Sequence, residues 1–131
     1  MKAYTNIDQS KILAEILPLE SADMKWFIPA DNEGEFIEDV SLIKNKSEYN
    51  LFDKVTDWDD TPYVPCWSLA ALVDVLPRID IEKEIWSSEK YDYRVKAYIG
   101  DGYVGDWYDN PIDACVDMII KLKESDLLKL R

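Results

Sequence analysis

The run YDYRVKAYIGDGYVGDWY, residues 91–108, decides the fold class. Tyr91, Tyr93, Val95, Ala97 and Ile99 alternate with Asp92, Arg94, Lys96 and Tyr98, the period of two that a half-buried strand requires. Gly100-Asp101-Gly102 follows as a hairpin turn, because glycine tolerates the positive φ such a turn needs. Tyr103 to Tyr108 then reads as the returning strand. The next residues predict a helix: Asp109 or Asn110 stands before Pro111 as a cap, Asp113 falls in the first turn, and Ile112, Val116, Ile119, Ile120 and Leu122 form one apolar stripe, with Lys121 and Lys123 near the end. The tail 125–131 either adds a turn or frays.

Upstream, Ile12, Leu13, Ile16 and Leu17 mark a helix over residues 6–17, capped through Thr5 and Asp8 and ended by Pro18. Glu20 to Met24 reads as a helical turn and Lys25 to Ile28 as a short strand. Asp31-Asn32-Glu33-Gly34 is a turn, with partial alternation through Phe36, Val40 and Leu42. Tyr49, Leu51 and Val55 predict another strand around Asp53. Residues 67–76, apolar on most sides, predict the central buried helix, stopped by Pro77. Ile79, Ile81, Ile85 and Trp86 suggest a strand broken by charged residues. The order of elements predicts a single α+β domain over residues 1–131, a mostly antiparallel sheet with about three helices packed on one face.

Two segments resemble each other. DWDDTPYVPC (57–66) and DWYDNPIDAC (106–115) share five of ten positions, as D-W-x-D-x-P-x-x-x-C. A duplicated site, a duplicated fold unit and two similar helix entrances all give this pattern. The capping chemistry at Asn110 and Pro111 favours the third reading, with the first helix starting near Pro65 or Cys66.

The 131 residues carry 27 acidic and 15 basic side chains, a formal charge of −12, with 47% hydrophobic and 12% aromatic content. That composition supports a core. The charge argues against direct binding of nucleic acid or an anionic membrane, and suits a protein partner with a basic surface, although acidity alone also keeps a cytoplasmic protein soluble. No apolar run is long enough to cross a bilayer, and MKAYTNIDQSK contains no secretory apolar stretch, so a cytoplasmic location is expected. Cys66 and Cys115 read as small core residues rather than a disulfide. The sequence contains no histidine, which removes Ser-His-Asp and Cys-His catalysis and histidine-ligated zinc.

Asp57, Asp59 and Asp60 with Asp106, Asp109 and Asp113 could supply oxygen ligands to magnesium or calcium if the two turns meet. The spacing from Asp57 is not that of an EF-hand, since Pro62 and Ser68 stand where glycine and glutamate are needed. No catalytic residue, metal or cofactor is assigned. LPLESADMKW (17–26), VPCWSLAALVDVLP (64–77) and WYDNPIDACVDMIIKL (107–122) together give the chain its one family likeness. It resembles a family of small uncharacterised proteins encoded in gut anaerobes, their prophages and other mobile elements. The resemblance implies an accessory protein of phage or mobile-element origin and contributes no catalytic residues. Binding to a partner macromolecule, rather than catalysis, is therefore the expected mode, through Asp57, Trp58, Asp59, Asp60, Asp106, Trp107 and Asp109. The alternatives are a carboxylate-dependent metal enzyme acting on phosphate esters, and a small-molecule-binding domain with an aromatic pocket near Trp86, Tyr91, Tyr93 and Tyr103.

Overall fold

Proline lacks an amide hydrogen and is therefore suited to the first position of a helix, where that hydrogen would find no partner. Pro111 occupies that position in a computed structural model that describes residues 2–28, 39–52 and 55–128. The helix runs Pro111–Glu124. Asn110 caps it by accepting the Asp113 N–H at 2.8 Å. The expected turn at 31–34, Phe36 and the last residues of the tail lie outside the described residues.

The described elements are helices α1 (Ile7–Ile16), α2 (Leu69–Val75) and α3 (Pro111–Glu124), with strands β1 (Met24–Phe27), β2 (Asp39–Leu42), β3 (Tyr63–Cys66), β4 (Ile79–Ile85), β5 (Tyr91–Ala97) and β6 (Tyr103–Val104). This is the expected α+β class, and every strand pairing is antiparallel. The strands fall into two sheets of three, ordered β2-β1-β3 and β4-β5-β6. The chain divides accordingly into two compact units, Thr5–Ser68 and Met1–Tyr4 with Leu69–Arg131.

In the unit Thr5–Ser68, Phe52, Trp58 and Val64 form a buried cluster, walled by Leu19, Trp26, Ile28 and Tyr49 among others. Thr5 does not cap α1. Its buried hydroxyl accepts the Trp67 N–H at 3.2 Å and bonds Ser10 Oγ at 2.7 Å, so Asn6 takes the cap in a reciprocal pair with Gln9. Asp53 lies outside the described residues, and where the expected strand includes Tyr49 and Leu51 the chain forms a 3-10 helix, Lys46–Leu51. Glu48 sets it, because its carboxylate accepts the N–H groups of Lys44 (2.6 Å) and Asn45 (2.9 Å) and receives the Lys25 ammonium. A side chain that satisfies the orphan amides of a helical turn overrides weak alternation.

The first DWxDxP copy leads into a strand, β3, and the following helix starts only at Leu69, not near Pro65. Pro65 is compatible with β3 because that strand lies at a sheet edge. The Ile28 N–H bonds Pro62 O, and two-residue alternation then turns the nitrogen of Pro65 away from β1.

In the other unit α3, not α2, is the most buried helix. Ile112, Ala114, Cys115, Met118, Ile119 and Leu122 are all essentially inaccessible, whereas α2 exposes Val73 and Asp74. Each fully buried Leu or Ile contributes about 1.5–3 kcal/mol. α3 packs on β5, whose Val95 and Ala97 are buried. Gly100 and Gly102 adopt positive φ, 58° and 91°, as the hairpin turn requires. The returning strand is shorter than its sequence pattern: β6 ends at Val104, and beyond it the Gly105 N–H to Val95 O bond and an isolated bridge, Tyr93 to Tyr108, continue the pairing. β4 is continuous through all seven residues despite its charges.

Candidate functional site

The two acidic turns belong to different units. In the first, Asp57 accepts the Asp59 N–H on its carboxylate at 2.9 Å, and Asp59 pairs with Lys11 at 2.7 Å while staying open to solvent. Trp58, expected on a binding surface, turns inward. It is 9% exposed, with its ring 6.2 Å from that of Phe52, so its indole is core. Asp60 is exposed and closes the turn through its own N–H to Asp57 O at 3.2 Å.

In the second turn, Asp106 and Asp117 share the Lys121 ammonium at 3.1 and 3.0 Å. Burial pushes Lys121 down, but the hydrogen bonds to these two carboxylates outweigh it and hold its pKa above the ordinary value. Asp109 accepts from Asn110 Nδ2 at 2.8 Å, and Asp113 pairs with Lys2 at 2.9 Å. Trp107 is half-buried, with the Arg94 guanidinium 4.6 Å from its ring centroid. These carboxylates are spent largely on turns, helix capping and ion pairs. Among the described residues no three Asp, Glu or Cys side chains gather as a metal site would need.

The outer face of the β4-β5-β6 sheet carries a further group of charges. Side chains alternate across a strand, so Asp80, Glu82 and Glu84 of β4 share one face with Asp92, Arg94 and Lys96 of β5. Away from the β4–β5 hairpin the charges are matched. Tyr98 donates to Asp80 at 2.5 Å, and Glu82 takes Lys96 at 2.8 Å and Arg94 at 3.2 Å, which holds its carboxyl below the usual range.

At the hairpin end the matching stops. Glu84 stands directly opposite Asp92, and no salt bridge among the described residues reaches either. Trp86 extends this face, donating its indole N–H to Asp92 at 2.8 Å while remaining 60% exposed. Lys83 does not neutralise the pair, since it lies on the opposite face above the Tyr91 ring, 4.2 Å from its centroid. Two carboxylates beside an open indole suit a lysine or arginine side chain, which gains both charge attraction and a ring face. The signal in the sequence was the acid–apolar alternation of IDIEKEIW, residues 79–86, ending on a tryptophan.

On the opposite side of the hairpin, Lys2, Lys90, Tyr91, Tyr93, Asp109 and Asn110 line an open cleft of about 380 Å³. It contains two of the four aromatic residues expected around a pocket; Trp86 and Tyr103 do not line it. Both cysteines are free and buried, as core residues should be. Burial pushes the Cys115 thiol up to about 12, which removes it as a nucleophile at neutral pH. Among the described residues no helix is long and apolar enough to cross a membrane. Comparison with family models, with curated proteins and with solved structures found no match to this chain.

Proposed function

We propose that this protein is an accessory binding protein that recognises a basic surface on a partner protein, and that the hairpin end of β4-β5 is its recognition site. One observation carries the reading: Glu84 and Asp92 form a like-charge pair that no salt bridge among the described residues neutralises, against the exposed Trp86. Like charges directly opposite each other destabilise a sheet, so a cation supplied by a partner relieves a cost that the free protein bears. The net charge of −12 adds long-range attraction for such a partner. A cytoplasmic setting is proposed with it, and a mobile-element origin on the family resemblance.

Calorimetric titration with an alternating lysine–valine heptapeptide tests the reading. Glu84→Lys combined with Asp92→Lys should weaken binding at least about tenfold, the effect of about 1.4 kcal/mol. Unchanged affinity in this double variant sinks the proposal.

A second reading, small-molecule binding, is favoured by the cleft beside Tyr91 and Tyr93. A crystal grown with a small aromatic cation at high concentration tests it. Density between the two tyrosine rings supports the reading, and an empty cleft rejects it.

A further inference from the structure

β4 is an edge strand among the described residues: the sheet order is β4-β5-β6, so only one side of its backbone is paired there. The parity of that pairing is fixed by two hydrogen bonds at its ends, Trp86 N–H to Lys90 O at 3.0 Å and Tyr98 N–H to Arg78 O at 2.9 Å. In an antiparallel ladder, residues two apart are equivalent. Asp80, Glu82 and Glu84 therefore direct their backbone groups at β5, whereas Ile79, Ile81, Lys83 and Ile85 direct theirs outward. The other side of β5 agrees, since Tyr93 and Val95 bond to Tyr108 and Gly105. The free edge thus offers four N–H and C=O sets along a seven-residue strand.

The two faces of that edge differ in chemistry. Asp80, Glu82 and Glu84 line one side. The other carries Ile79, Ile81 and Ile85, of which Ile81 is 39% and Ile85 64% exposed, while α3 packs on β5. A long edge of this kind invites another strand. A second copy of β4 is a poor occupant. In the register that keeps the isoleucines on one face, its carboxylates meet their own kind across the new ladder.

We infer that the β4 edge takes an extended basic segment of the partner protein as an added antiparallel strand, apolar residues opposite Ile79, Ile81 and Ile85 and lysine or arginine opposite Asp80, Glu82 and Glu84. Main-chain bonds supply affinity in this mode and the alternating side chains supply selectivity. The inference rests on the basic-partner reading above and adds the geometry of capture. Lys83, in the middle of the apolar face, discourages wholly apolar strands, a common guard on natural sheet edges.

Backbone methylation of the same lysine–valine heptapeptide tests the geometry without altering the protein. The amides of its valines face β4 in this arrangement and those of its lysines face solvent. Methylating the valine nitrogens should weaken binding at least about tenfold, and methylating the lysine nitrogens less than about twofold. Equal losses from the two methylations, no loss from either, or no binding by the parent peptide would overturn strand addition. Glu84→Lys separates the two levels. If it still cuts binding while methylation does not discriminate, the charge reading stands without the added strand; if it has no effect, the charge reading itself fails. In the full chain, Ile81→Pro removes one outward N–H and no bond to β5, so this variant should fold and bind the parent peptide about tenfold more weakly. A folded Ile81→Pro protein with undiminished affinity contradicts the inference.

Discussion

Glu84 and Asp92 face each other across the β4–β5 ladder, and no salt bridge among the described residues reaches either. Stability alone would not select that pair. Replacing Glu84 by lysine converts the repulsion to an attraction and should raise stability by about 0.2–1 kcal/mol. Thermal unfolding of Glu84→Lys checks this. A higher melting temperature together with lost affinity for the lysine–valine peptide is the expected combination.

Glu48 holds the 3-10 helix of its unit together and accepts the Lys25 ammonium, which lowers its pKa from 4.5 to about 2, with the Asn45 and Lys44 amides adding to the effect. A carboxyl depressed in the folded state stabilises above its unfolded value, and that contribution is lost as pH falls through the folded value. Glu48→Gln should therefore melt below the parent at pH 7. The gap should close between about pH 4.5 and pH 2. A gap independent of pH would show that the charge of the Glu48 carboxylate contributes nothing to stability.

Asn110 accepts the Asp113 N–H and donates its own amide to Asp109 and Asp113, each at 2.8 Å. Removing a cap of this type costs about 1 kcal/mol. Asn110→Ala should show that loss in urea unfolding with an unchanged denaturant slope, since the folded surface is otherwise the same.

Cys66 and Cys115 are both fully buried, and desolvation raises both thiols. A thiol reagent at pH 7 should label neither in the folded protein within minutes, and both once the chain is unfolded. Rapid labelling of Cys115 in native conditions would show that the core around α3 opens easily.

The parts of the fold governed by local backbone chemistry were legible. Asn110-Pro111 can hardly be other than a helix start, and Gly100 and Gly102 take the positive φ that the turn demanded. The parts set by distant partners were not. Thr5 looked like a cap, yet its hydroxyl serves the Trp67 amide 62 residues away. Tyr49, Leu51 and Val55 looked like an alternating strand, yet Lys25 and the Glu48 amide bonds draw Tyr49 and Leu51 into a 3-10 helix. Of the proposed site, acidity and aromatic residues were legible in the sequence, but not which of them the fold leaves open. The shared DWxDxP pattern drew attention to Trp58, which is buried, whereas Trp86 occupies the open position because β4 remains one unbroken strand.

We propose that the hairpin end of β4-β5 binds cationic side chains. Titrating isotope-labelled protein with the lysine–valine heptapeptide and following its nuclear magnetic resonance spectrum tests this most directly. The indole N–H of Trp86 and the amides of Glu84 and Asp92 should shift together and saturate, with the shifts shrinking as salt is raised. Shifts centred on Asp57 to Asp60, or no movement of Trp86, would contradict it.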